Sequence, residues 1–86
     1  MNGVLFEFKN IIGGLDRVEM RFRESRTQSE NVFLKIDTHG ISKADVLARI
    51  GRTLRNRDYT GGTKGTLVFY VAQTRKVYFM KIRDLK

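Results

Sequence analysis

An α+β fold is what the sequence predicts: one mostly antiparallel sheet of about five strands, in the chain order β-β-β-α-β-β, with a single helix packed on one face. Three observations lead there. Apolar and polar residues alternate in several short stretches, the period of two that gives a strand one apolar face. One stretch alone, over residues 43–56, repeats apolar residues at helical spacing behind a capping signature. And 86 residues, 41% hydrophobic and 30% charged, suffice for one packed domain over 1–86, because a second core would leave each half below the size that folds unaided.

Val4, Phe6 and Phe8 alternate with Leu5, Glu7 and Lys9, which predicts a first strand ending near Asn10. Gly13 and Gly14 suit the positive φ angles of a turn, after which Val18, Met20 and Phe22 alternate with Arg17, Glu19, Arg21 and Arg23 as a second strand. Residues 25–31 are polar and read as a loop. Val32, Leu34 and Ile36, alternating with Phe33, Lys35 and Asp37, form the third strand, expected to pair with the second as a long hairpin.

Ser42 followed by Asp45 fits a capping box, in which each side chain accepts a backbone N–H left unpaired at a helix start, with Ile41 and Val46 as its hydrophobic staple. Val46, Leu47, Ile50 and Leu54 then share one helix face, expected to pack on Val18, Met20, Leu34 and Ile36, while Arg49, Arg52 and Asn56 lie opposite. Gly51 inside this helix costs about 1 kcal/mol relative to alanine. Residues 59–65 carry three glycines and form a loop. The last two strands, 66–72 and 76–83, turn at Gln73, Thr74 and Arg75. Because Leu67, Phe69 and Val71 alternate with Val68, Tyr70 and Ala72, both faces of this hairpin are largely apolar, as in a central strand or the interface of a homodimer.

The chain holds no cysteine, which removes disulfides, thiolate metal sites and cysteine nucleophiles. With one histidine as well, a histidine-rich zinc site is excluded, and no cofactor or metal is expected. No stretch has the length of a membrane span, the polar residues Glu7, Lys9 and Asn10 break the start of the chain as a signal peptide, and a cytoplasmic protein without membrane partners is expected. A formal charge of +8 and a pI near 10.3 favour a polyanionic partner, nucleic acid first and an acidic protein second.

On the predicted sheet, Arg17, Arg21, Arg23, Phe33 and Lys35 share the face turned away from the helix, extended by Phe79, Lys81 and Arg83 from the last strand. Cations neutralise phosphates while aromatic rings stack on bases, so this surface is expected to bind RNA or single strands without catalysis. Arg49, Arg52 and Arg55 make a second patch along the helix, where Asp45 is the lone acid. The glycine-rich run Thr60-Gly61-Gly62-Thr63-Lys64-Gly65 leads into a strand and so is no P-loop, though it can set Lys64 beside an anion.

Two local resemblances bear on catalysis. In Asp37-Thr38-His39-Gly40, ahead of the helix, the lone histidine beside a carboxylate reads either as an acid–base pair with Asp37 fixing the His39 tautomer or as two side chains satisfying backbone groups of the turn; over residues 36–50 this segment resembles the Asp-x-His-Gly segment of Smr domains, which are associated with nucleic-acid binding and nicking, and the resemblance implies such activity on Asp37 and His39. The closing hairpin, Gly65-Thr66-Leu67-Val68-Phe69-Tyr70-Val71 followed by 76–83, is similar to that of RelE-type ribonuclease toxins, which implies metal-independent RNA cleavage on Tyr78, Lys81 and Arg83. A non-catalytic binding protein, such a ribonuclease, and a phage- or plasmid-type regulator docking on an acidic protein are the functions the composition accommodates.

Overall fold

The computed structural model describes residues 5–86, and Val4, expected at the head of the first strand, lies outside them. The elements run β1 (Phe6–Ile11), α1 (Leu15–Arg26), β2 (Asn31–Ile36), α2 (Lys43–Leu54), β3 (Thr66–Val71), β4 (Lys76–Lys81) and a closing 3₁₀ turn (Ile82–Leu85). One four-stranded sheet has the spatial order β1-β2-β3-β4, in which β1, β2 and β3 are parallel and β4 alone is antiparallel. The expected antiparallel sheet of five strands with one helix is therefore replaced by a mixed, mostly parallel sheet of four strands with two helices, in the order β-α-β-α-β-β.

The difference originates in one segment. Residues 15–26 are a helix, so β1 and β2 are joined by a crossover helix and lie parallel, and no hairpin forms between the expected second and third strands. Leu15, Val18, Phe22 and Ser25 point inward at helical spacing, with Val18, Phe22 and Ser25 buried, while Met20 is 40% exposed and takes no place in the expected core. Val18 and Phe22 are four residues apart, a spacing common to the strand period of two and the helical period of 3.6. Glu19 with Arg23 (3.2 Å) and Arg21 with Glu24 (3.1 Å) pair across one helical turn, support that a strand does not provide.

α2 follows its expectation closely. Ser42 Oγ accepts from the Asp45 amide at 3.1 Å, and Asp45 Oδ2 accepts from the Ser42 amide at 3.0 Å, completing the capping box. Val46, Ile50 and Leu54 are buried and Leu47 is half-buried against them; the helix ends at Leu54, two residues before its expected end. Gly51 has a packing reason: a Cβ there would lie 2.9 Å from the Leu85 carbonyl oxygen, so the closing turn rests on the helix backbone.

Burial shows which side of the sheet the helices cover. Val32, Leu34 and Ile36 of β2 and their neighbours Leu67, Phe69 and Val71 of β3 have no exposure, whereas Phe33, Lys35, Val68 and Tyr70 between them do. α1 packs on β1, β2 and α2, and Ile82 of the closing turn completes the same core. Among the described residues, no element covers the opposite face of the sheet. β3 is central, between β2 and β4: its odd-numbered residues are core, and its even-numbered ones belong to the open face.

Candidate nucleic-acid interface

Because strand neighbours share a face, the register orders the open side into rows running across the strands. Phe8, Phe33, Val68 and Phe79 form one row, and Asn10, Lys35, Tyr70 and Val77 the next. Towards the other end lie Phe6, Asn31, Thr66 and Lys81, with the Thr66 amide donating to Asn31 Oδ1 at 3.0 Å. Phe8 and Phe33 stack at 5.3 Å between ring centroids. Phe8 is 56% exposed, Val77 59% and Phe79 76%, far more than apolar side chains keep when a sheet face is packed.

Of the residues expected on this face, Phe33, Lys35, Phe79 and Lys81 are there. Arg17, Arg21 and Arg23 are not, because they ride on α1 on the covered side of the sheet. Arg83 leaves the sheet with the closing turn and stands at its end, next to Lys81. β1 is the reverse of what its alternation suggested: Phe6 and Phe8 belong to the open face, while Glu7 and Lys9, 3.6 Å apart, lie on the helix side at the sheet's edge. Ile11, buried and of the same parity as Glu7 and Lys9, is the residue from which that orientation was readable.

Pairing sorts the cations. Arg23 bonds Glu19 and Asp58, and although partial burial opposes its charge, these carboxylates hold its pKa above the usual arginine value. Arg49 contacts Asp16 at 2.8 Å and Glu19 at 3.5 Å, and these carboxylates, Asp16 above all, likewise raise its pKa. The cationic stripe expected along α2 is thus partly neutralised by acids of α1, leaving Arg52 and Arg55 exposed beyond it. Arg26 is spent on the chain itself, its guanidinium donating to Tyr59 Oη and to the carbonyls of Glu30, Gly61 and Gly62. Only Asp84 among the nine acids follows Asp58, whereas Lys64, Arg75, Lys76, Lys81, Arg83 and Lys86 all do. The surplus charge therefore gathers on the β3–β4 half of the molecule.

Of the residues that the two family resemblances single out, only Lys81 and Arg83 come together. Asp37 contacts Lys35 at 3.6 Å rather than His39, and His39 is exposed in the turn before α2. Thr38 Oγ1 accepts from the Gly13 amide at 2.8 Å, tying this turn to the start of α1. Tyr78 points to the helix side, its ring 5.4 Å from Phe69 and under Lys43 Nζ at 4.8 Å. Lys81 and Arg83 stand at the other end of the sheet from the His39 turn, β4 alone spanning about 17 Å between Lys76 and Lys81. No acid–base constellation joins His39 to Lys81. Among the described residues no group of His, Asp or Glu could hold a metal ion, and no helix is long and apolar enough to cross a membrane.

No protein-family model, curated protein or solved structure matches this chain. Phe6, Phe8 and Val77 were missed as surface residues because each sits in an apolar alternation that reads as core, Val68 and Tyr70 were left between core and interface, and Lys64 had only its loop to recommend it.

Proposed function

We propose that this protein binds single-stranded nucleic acid, RNA or DNA, on the open face of its sheet. The observation that carries the proposal is the row Phe8, Phe33, Val68 and Phe79, with Phe8 and Phe79 solvent-exposed and Phe33 and Val68 half-buried between them, on a face that also displays Lys35 and Lys81. Exposed rings offer bases a stacking surface irrespective of sequence, and flanking cations take the phosphates. Duplex fits poorly, since its bases are already stacked on one another and offer the rings no free face. The net charge of +8 supports attraction to a polyanion over long range.

Fluorescence anisotropy with labelled oligothymidylate and oligouridylate, against the same strands in duplex, tests it. Phe79→Ala removes a side chain that contributes little to the core and should weaken single-strand binding by about 5- to 150-fold, the equivalent of roughly 1–3 kcal/mol of stacking. Lys81→Ala should lower the slope of log affinity against log salt by about 0.7, one phosphate contact. Unchanged binding in Phe79→Ala, or a larger loss from Arg52→Glu with Arg55→Glu, would reject the sheet platform and place the polyanion on α2.

A second reading rests on Val77 and Phe79 lying on β4, an edge strand with a free side: a symmetric homodimer covering the same face. Sedimentation velocity separates the two. A dimer dissociated by Phe79→Ala, together with no binding to single strands, favours self-association, and a monomer that binds them favours the platform.

A further inference from the structure

We infer that the depression at the end of the sheet lined by Lys64, Lys81 and Arg83 is a subsite for a terminal phosphate monoester of the bound strand. This deepens the single-strand reading and, for the strand, rests on it.

Three backbone features bring the cations together. The Ile82 amide donates to the Gly65 carbonyl at 3.1 Å, fixing the end of β4 to the start of β3. Gly65, at a φ of +96°, runs so close to Glu30 that a Cβ would lie 2.0 Å from the Glu30 carbonyl oxygen, which holds the 63–66 segment down on the end of β2. Ile82 is fully buried, so its neighbours Lys81 and Arg83 are thrown outward on either side of an anchored residue. The outcome is an open depression of about 530 Å³ with three exposed cations and the hydroxyl-bearing Thr63 and Thr66 on its walls.

None of the three has a carboxylate within 4.0 Å among the described residues, whereas Arg21, Arg23 and Arg49 of the helices all do. The one acid on the wall is Glu30, which makes no ion pair there. Three unpaired cations around one depression exceed what a diester carrying a single negative charge requires. A monoester, with a charge of about −1.5 to −2 near neutral pH and three acceptor oxygens, suits them, and the Arg83 guanidinium presents a fork for two of those oxygens. Lys81 also lies two residues along β4 from Phe79 on the same face, about 7 Å, so a base stacked on Phe79 has its own phosphate beside the depression.

The test compares short oligothymidylates bearing a 5′-phosphate, a 3′-phosphate or neither, and adds a titration of the isotopically labelled protein with inorganic phosphate followed by NMR. One phosphorylated end should bind on the order of tenfold more tightly than the unphosphorylated strand, as one or two charge-assisted hydrogen bonds imply. Lys64→Gln with Arg83→Gln should abolish that advantage, bringing the ratio of affinities between the phosphorylated and unphosphorylated strands to about one. Arg83→Lys should retain part of it, and Phe79→Ala should weaken all three strands by the same factor. Inorganic phosphate should shift the amides of Lys64, Gly65 and Arg83 in a saturable manner. Equal affinity for all three strands overturns the subsite while the platform stands. If no strand binds yet inorganic phosphate saturates these amides, the platform falls and the subsite stands, and if phosphate produces no saturable shift as well, both fall.

Discussion

Gly65→Ala is the substitution whose effect the structure fixes most tightly. Two costs apply. At a φ of +96° an alanine pays the left-handed penalty, roughly 1–2 kcal/mol. Its Cβ would also stand 2.0 Å from the Glu30 carbonyl oxygen, well inside contact and against backbone that has no rotamer by which to yield. Displacing that backbone is overpacking, about 1–3 kcal/mol. Together they give a loss of about 3 kcal/mol, a large part of the roughly 4–13 kcal/mol expected for a chain of this length. Urea denaturation followed by circular dichroism measures it, and the thermal midpoint should fall by about 12–24 °C. Gly40→Ala and Gly62→Ala are the controls: both have positive φ, +92° and +75°, but open space where the Cβ would go, so each should lose only about 1 kcal/mol. If Gly65→Ala falls within about 0.5 kcal/mol of these controls, the close approach to Glu30 is refuted, and with it the clamp that brings Lys64, Lys81 and Arg83 together.

Gly51→Ala should destabilise by about 1 kcal/mol although alanine is the better helix former, because its Cβ would meet the Leu85 carbonyl oxygen at 2.9 Å; a gain in urea midpoint would show that the closing turn does not rest on α2. Ser42→Ala should cost about 1 kcal/mol by removing the hydroxyl that caps the Asp45 amide, read in the same denaturation assay. The backbone amide and hydroxyl of Ser42 hold the Asp45 carboxyl below its ordinary pKa, so its contribution is fully present above the usual carboxylate range and is lost as pH falls through the lowered value. Thermal midpoints should therefore drop less steeply on acidification in Asp45→Asn than in the wild type, and parallel curves would contradict the cap's charge dependence.

How much was legible beforehand follows the range of the interactions involved. α2 was readable because its determinants are local: Ser42 and Asp45 satisfy each other's amides across three residues, and Val46, Ile50 and Leu54 line up by helical geometry alone. The alternation in β2, the glycine loop ahead of β3 and the turn at 73–75 are local in the same sense, and Arg75, at a φ of +56°, marks that turn. Within the candidate site, Phe33, Lys35, Phe79 and Lys81 were identified from strand parity and do share one face.

Residues 15–26 were not legible from periodicity, since Val18 and Phe22 fit either period, and only Leu15, Ser25 and the paired charges at Glu19–Arg23 and Arg21–Glu24 favour a helix. That single assignment carries the topology. A helix between β1 and β2 makes them parallel, turns Phe6 and Phe8 outward, and removes Arg17, Arg21 and Arg23 from the sheet. Composition, the local helix and strand signals and the excess of positive charge belong to the sequence itself, because each depends on residues that are neighbours along the chain. Which face is open, which cations remain unpaired and where Lys64 meets Arg83 were decided only by tertiary structure, because the acids that neutralise Arg49 and the backbone that clamps Gly65 come from segments thirty or more residues away.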